Sequence, residues 1–304
     1  MKKIFALILS LVMMLAVASP AFAAYETPFD DSKFFEYEEY SIHYRVFEAE
    51  NEIDQIFMIH GFALSSYCWV ELATRLQAAG YTCVLADLPD FGYSTRETAS
   101  TEKLPREEIM HALMVELSDE PWYVAGHSMG GYIAQAVAEK YPESVKNLLL
   151  YGTGGNDNSP EMAALMGNDA FVAVMGPLMQ LMTRFDILVK LFLQMGLNDK
   201  EYAASYDISK ITDPIRIDGT GKGACYSFSM LPNTNYDAIK NGKPVLFVNG
   251  SEDSVIPDSS KNSIREVLPE GSVDYVVEGG GHMFIENLAD ETAEVTLEFL
   301  AANR

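Results

Sequence analysis

Gly126-His127-Ser128-Met129-Gly130 is the segment of this chain with the most definite chemical use. It follows the pattern G-x-S-x-G and lies between an apolar run at 122–125 and a helix-like run at 130–140. A serine on a sharp strand-to-helix turn is held with its Oγ exposed above the sheet. Gly126 and Gly130 keep side chains away from the neighbouring backbone. The helix that follows aims free N–H groups and a positive dipole end at the same spot. The pentapeptide alone also fits a chance glycine–serine turn; the flanking runs argue against that reading. The expected chemistry is attack by the Ser128 hydroxyl on a carbonyl.

A serine hydroxyl is a weak nucleophile and requires an adjacent base. The histidines are His43, His60, His111, His127 and His282. His43 falls in an expected edge strand and His111 in a helix far from any strand end, so both read as surface residues. His127 adjoins Ser128, and on a tight elbow its ring should diverge from Oγ. His60 precedes Gly61 at the end of another strand. His282 stands in Gly279-Gly280-Gly281-His282, after the last strand-like run, and follows the serine in chain order; it is the expected base. A carboxylate must fix its tautomer and stabilise its cation. Asp253, in the loop after the run at 245–248, is the expected acid, with Glu252 the nearest rival and Asp258 a weaker one. In so acidic a chain, all three also read as solvated loop acids. The developing oxyanion needs two backbone donors. Met129 N–H, just after the serine, and Phe62 N–H, in His60-Gly61-Phe62-Ala63, are expected to supply them.

These residues must be positioned by strand ends. Short continuous apolar runs occur at 55–59, 81–86, 122–125, 145–151, 245–248 and 273–277, as in fully buried parallel strands. Residues 40–47 alternate as an edge or half-buried strand would. Helical patterns at 70–79, 105–117, 130–140, 259–267 and 289–300 separate the runs, which places the chain in the α/β class. Residues 25–37 read as an irregular leader. The alternation fails between 152 and 236, a stretch with Met162, Met166, Met175, Met179, Met182, Met195 and Met230. This is expected to be a helical insertion whose methionines either fill a core or form an adaptable wall over a cleft.

The net charge of −23 and pI near 4.5 disfavour nucleic acid and anionic lipid as partners. No polybasic membrane patch is expected. Three cysteines, Cys68, Cys83 and Cys225, permit at most one internal disulfide, and Cys83 in its apolar run reads as a buried small side chain. There is no C-x-x-C and no H-E-x-x-H, so no zinc site is expected. Met1-Lys2-Lys3, the apolar stretch 4–17 and Ala21-Phe22-Ala23 have the layout of a secretory signal peptide. Its removal would leave an exported chain without stable membrane association. An uncleaved N-terminal anchor is the alternative.

Taken together, His60-Gly61-Phe62, Asp87-Leu88-Pro89-Asp90-Phe91-Gly92-Tyr93-Ser94, Gly126-His127-Ser128-Met129-Gly130-Gly131, Gly250-Ser251-Glu252-Asp253 with Pro257, and Gly281-His282 resemble the α/β-hydrolase superfamily. The resemblance is to its lid-bearing branch of esterases, monoacylglycerol lipase-like enzymes and carbon–carbon bond hydrolases, and it runs from about residue 55 to the C-terminus. It implies a mostly parallel sheet of about eight strands flanked by helices, a helical lid, a Ser-His-Asp triad, and neither metal nor organic cofactor. The family usually has glycine where this chain has Asp90, and an aspartate can adopt the required turn. Relatives acting on halides or epoxides have an aspartate nucleophile, and Ser128 argues against those activities.

The expected division is a signal peptide at 1–23, core at 24–152, lid at 153–236 and core again at 237–304. The expected reaction is hydrolysis of a small, uncharged carboxylic ester through an acyl-enzyme. Phe171, Leu178, Met179, Met182, Phe185 and Phe192 are expected to form an apolar wall for the substrate. Arg184, Lys190 and Arg216 are candidates for a competing anion site. A carbon–carbon bond hydrolase, a proline-releasing peptidase and a slow-turnover binding or sensor protein remain alternatives, and the oligomeric state stays open.

Overall fold

The computed structural model describes residues 25–96, 104–155, 160–232, 236–240 and 242–304. The expected signal peptide lies outside them. Among the described residues, eight strands form one sheet: β1 Lys33–Tyr37, β2 Tyr40–Phe47, β3 Asp54–Ile59, β4 Tyr81–Ala86, β5 Trp122–His127, β6 Val145–Tyr151, β7 Leu246–Gly250 and β8 Val273–Val277. The order is β1-β2-β4-β3-β5-β6-β7-β8. β1 and β2, and β2 and β4, run antiparallel; the remaining neighbours are parallel. This is the expected α/β architecture.

The apolar runs are continuous because helices cover both faces. Ile56 and Met58 join one core with Trp69, Leu72 and Leu76, at the start of and within α1 (Val70–Ala78), and with Phe299 and Leu300 of the C-terminal helix Ala289–Ala302. Phe57 and Ile59 join the other core, with Ile109 and Leu113 of α2 (Arg106–Leu117) and Ile133 and Val137 of α3 (Met129–Lys140). Successive strand residues point to opposite faces, so each run from β3 to β7 feeds both cores. The run at 273–277 was expected to be fully buried, but β8 is the other edge of the sheet: Val273, Tyr275 and Val277 face one core while Asp274 and Val276 are exposed.

Two expectations at the N-terminal end are corrected. Residues 33–37 are not irregular but pair with β2 in a hairpin that turns through Glu38 at φ 50°. As the sheet edge, β1 is only partly buried, and its residues show no clean alternation. β2 is therefore internal, and its residues 40–43 are buried.

Between β6 and β7 the described chain is helical: α4 Pro160–Met166, α5 Asp169–Met182, α6 Asp186–Leu197, α7 Lys200–Ser205, α8 Ser209–Ile215 and α9 Thr220–Ser229. α10 Asp237–Lys240 leads back to the sheet, and α11 Asp258–Arg265, α12 Phe284–Asn287 and α13 Ala289–Ala302 complete the core. The insertion is tied down by buried Arg96. Its Nη2 donates to the carbonyls of Gly92 (2.7 Å) and Pro214 (2.9 Å), and its Nε to Thr220 Oγ1 (2.8 Å). Asp90 adopts φ 72° where a glycine is usual, and its carboxylate accepts from Arg106 Nη2 at 2.7 Å. The aspartate thus meets the turn geometry and joins α2 to this loop.

Candidate active site

Ser128 links β5 to α3 with φ 52° and ψ −120°. A non-glycine residue there stores on the order of 1–3 kcal/mol of backbone strain and needs outside support. Its N–H donates to Tyr151 O (3.0 Å), and Thr153 Oγ1 donates to its carbonyl (2.8 Å). A β-carbon on Gly126 would strike the Gly130 carbonyl, and one on Gly130 would strike the carbonyls of Ile59 and His60. Both glycines are required by close backbone approach, as the motif implied. Ser128 is 8% exposed.

Asp253 and His282 come together from the loops after β7 and β8. His282 Nδ1 lies 3.0 Å from Asp253 Oδ2. Asp253 Oδ1 accepts from the N–H groups of Val255 (2.8 Å) and Ile256 (3.3 Å). Burial pushes the Asp253 carboxyl up, but the bond to His282, its charge and the two amides outweigh burial and hold it below the usual range. An ionised Asp253 accepts a proton bond only, so Nδ1 carries hydrogen and Nε2 is left free to act as base. Glu252 and Asp258 are exposed.

The His282 carbonyl accepts from His127 Nε2 at 2.8 Å, and the two rings lie 4.8 Å apart. Burial, helped by His282, pushes His127 down to about 3, so it is a neutral brace for the histidine loop. Among the described residues, His282 bonds to Asp253 through its ring and to His127 through its carbonyl, with no bond to Ser128 Oγ. In sites of this kind that contact tightens when substrate binds.

The loop at 60–63 lies directly against the elbow. A β-carbon on Gly61 would sit 3.0 Å from Ser128 Cβ and clash with His127 Nδ1. Leu88 N–H donates to His60 Nε2 (3.0 Å), so Nδ1 carries the hydrogen that bonds Gly61 O at 2.7 Å. Burial pushes His60 down, and its role is to hold this loop. The loop and the start of α3 bring Phe62 and Met129 to the serine. The Phe62 ring packs 4.5 Å from Phe228 of α9 and 5.5 Å from Phe91, giving an apolar wall.

Several side chains depart from expectation. His43 is fully buried rather than on the surface, with Nδ1 at 2.7 Å from Asp87 Oδ2. Asp87 also accepts from the amides of Ser66 (2.5 Å) and Tyr93 (2.8 Å). Burial raises this carboxyl, yet His43 and these bonds bring it down to about 2. Sequence reasoning had one signal for the pair: an aspartate ending a buried strand beside a strand carrying a histidine. Leu178, Met182, Phe185 and Phe192 face solvent and build no wall over Ser128. Arg216 pairs with Asp186 at 2.5 Å and Arg184 with Asp218 at 3.9 Å, so these cations are engaged on the insertion itself. The three cysteines are buried and unpaired.

Glu286 was also missed. It is buried on α12, four residues beyond His282, and lines a small cavity with Ser65, Tyr67, Tyr206 and Lys210. Burial pushes its carboxyl up to about 8, against the opposing hydrogen bond from Tyr206. No sequence pattern distinguished it from the chain's other acids.

The family model for the alpha/beta hydrolase fold matches residues 55–287. Lipase 1 of Psychrobacter immobilis is 27% identical over 257 residues, 79% of this chain and 75% of the lipase. A 2-hydroxy-6-oxononadienedioate/2-hydroxy-6-oxononatrienedioate hydrolase of Comamonas testosteroni is 24% identical over 271 residues, 82% of this chain and 88% of that protein. The solved structure of a thermophilic esterase from Thermogutta terrifontis superposes with a TM-score of 0.66 at 20% identity, covering 86% of this chain and 94% of the esterase. With its elbow, its sheet order and this match over most of its length, the chain belongs to the alpha/beta hydrolase fold family and is related to lipases and esterases.

Proposed function

We propose that the chain is a serine hydrolase of carboxylic esters in which Ser128 is the nucleophile, His282 the base and Asp253 the acid. The carrying observation is the buried Asp253–His282 pair, whose histidine loop is held by His127, the residue before the strained elbow serine. Ser128 Oγ attacks the ester carbonyl as its proton passes to His282 Nε2. The Met129 and Phe62 amides stabilise the oxyanion. His282 then protonates the leaving alcohol, and water activated by the same ring hydrolyses the acyl-enzyme. The phenylalanine wall at Phe62, Phe91 and Phe228 and the relation to Lipase 1 favour an uncharged acyl group.

A fluorophosphonate probe should label the wild-type protein and leave Ser128→Ala unlabelled, with p-nitrophenyl ester turnover lost in the same variant. Labelling that persists in the variant places the nucleophile elsewhere. Absence of steady-state turnover on both esters and diketones favours a binding or sensor protein. The Comamonas relative supports a second reading, cleavage of a carbon–carbon bond by the same groups. Product analysis on a diketone against an ester separates the two.

A further inference from the structure

We propose that Glu286 is a positioning residue for this site: as a neutral carboxyl group it fastens the insertion to the Phe62 loop and to the histidine segment, and its ionisation releases the insertion. The reaction proposed above gives Glu286 no chemical step, although it is buried within four residues of the base. Three parts of the site meet at its side chain. α12 begins two residues after His282, and the Glu286 N–H donates to Met283 O at 3.0 Å. The carboxyl lines a small cavity whose other walls include Ala63 and Leu64, which follow Phe62, and Tyr206 and Lys210 of the insertion. The Tyr206 hydroxyl donates to this carboxyl. The same ring meets Tyr67 edge-on at 6.3 Å, and Asn287 Nδ2 donates to Leu197 O at 3.3 Å as a second tie to the insertion.

The surroundings suit a neutral group and not a charge. Oε1 of Glu286 is buried without a hydrogen-bond partner, and among the described residues no ion pair reaches the carboxyl. Tyr67 and Cys68, in the helical turn Ser66–Trp69, and Tyr202 and Tyr206 of the insertion are all raised by burial, so each faces Glu286 uncharged. Glu71 of α1 is acidic and committed to Arg75 at 2.9 Å, and Asp290 of α13 also pairs with Arg75. Lys210 lies 3.8 Å from Asp207, with its Nζ over the rings of Phe29 (5.6 Å) and Tyr67 (5.8 Å). α6 turns Val189, Leu193 and Leu197 inward and leaves Asp186 and Lys190 exposed. Burial accordingly raises the Glu286 carboxyl to about 8.

A buried, unpaired carboxylate is relieved by admitting water, and the wall that can yield is the insertion. The other two walls follow β3 and β8 directly and are anchored in the sheet. Their alignment depends on the third. Ala63 holds φ 57°, a conformation that a non-glycine residue keeps only under outside support. It adjoins Phe62, the proposed oxyanion donor, so loss of the Tyr206 wall frees that amide as well as the insertion. That turnover follows the clasp rests on the hydrolase reading; the clasp itself does not.

The test is kcat/KM for p-nitrophenyl acetate at pH values from 7 to 9, corrected for spontaneous hydrolysis, beside hydrogen-exchange protection factors for the amides of Ala203, Ile211 and Thr212. In wild type, kcat/KM should fall about tenfold by pH 9, where about one carboxyl in eleven is still neutral, and protection in α7 and α8 should fall with it. Glu286→Gln is neutral throughout and should change by less than about twofold over the same range, with its protection kept. Tyr206→Phe removes the bond that favours the carboxylate, so its decline should begin at higher pH than in wild type. The proposal is overturned if Glu286→Gln declines as wild type does, if wild type does not decline, or if Tyr206→Phe declines from a lower pH. Exchange reads the clasp without chemistry. Absence of ester turnover with exchange that depends on pH in wild type alone refutes the hydrolase reading and supports the clasp. Turnover with exchange that is flat in wild type overturns the clasp alone.

Discussion

Asp253→Asn tests the proposed active site through a tautomer. Oδ1 of Asp253 is held by two N–H donors, Val255 at 2.8 Å and Ile256 at 3.3 Å, while Oδ2 faces His282 Nδ1 at 3.0 Å. An asparagine must keep its oxygen toward the two amides, because turning its NH2 there would set donor against donor. Its NH2 then faces His282, where only an unprotonated Nδ1 can accept. The ring hydrogen moves to Nε2, the atom that must take the proton from Ser128. Turnover should fall about 10⁴-fold, the size seen when a triad aspartate is so replaced, which is about 5.4 kcal/mol of transition-state stabilisation. The fold should survive, since the side chain keeps its shape and its bonds to 255 and 256. The assay is steady-state hydrolysis of p-nitrophenyl acetate, with thermal melting as the control and Glu252→Gln for comparison. The reasoning is refuted if Asp253→Asn retains activity within about tenfold of wild type, less than a lost tautomer allows. A larger loss in Glu252→Gln would refute it as well.

Glu286 supplies a prediction with a defined sign. Its carboxyl is raised from 4.5 to about 8 in the folded protein, first by burial and then by the charge of Glu71. The unfolded chain releases this proton at lower pH than the native state does. Stability from this group is therefore complete below about pH 4.5 and declines as pH rises toward 8, by an amount on the order of a few kcal/mol. Glu286→Gln should flatten that decline in urea-unfolding series between pH 5 and 9, and an unchanged slope would show that Glu286 does not titrate there. We propose export through cleavage after Ala23. N-terminal sequencing of the secreted protein should begin at Ala24 within a residue or two, and an intact Met1 on membrane-bound protein would favour an anchor.

The sequence by itself determined the strands β3 to β8 and the order of the candidate groups along the chain. The strands at 55–59, 81–86 and 145–151 were readable because both their faces meet helices, so burial wrote itself as unbroken apolar runs. The elbow was readable because close backbone approach demands glycine at 126 and 130. Asp253 could be preferred over Glu252 by position alone, but only the tertiary structure turned it toward His282 and left its neighbour in solvent. His43 and Asp87 are 44 residues apart and meet because β2 and β4 pair antiparallel, a contact with no local signature. β1 was hidden because edge strands bury too little to impose alternation. The insertion marks the limit most clearly. α5 and α6 are apolar around most of their circumference, so periodicity carries no phase and cannot say which face turns inward. Packing decided that, placing Val189 and Leu193 inside and Leu178, Met182, Phe185 and Phe192 in solvent.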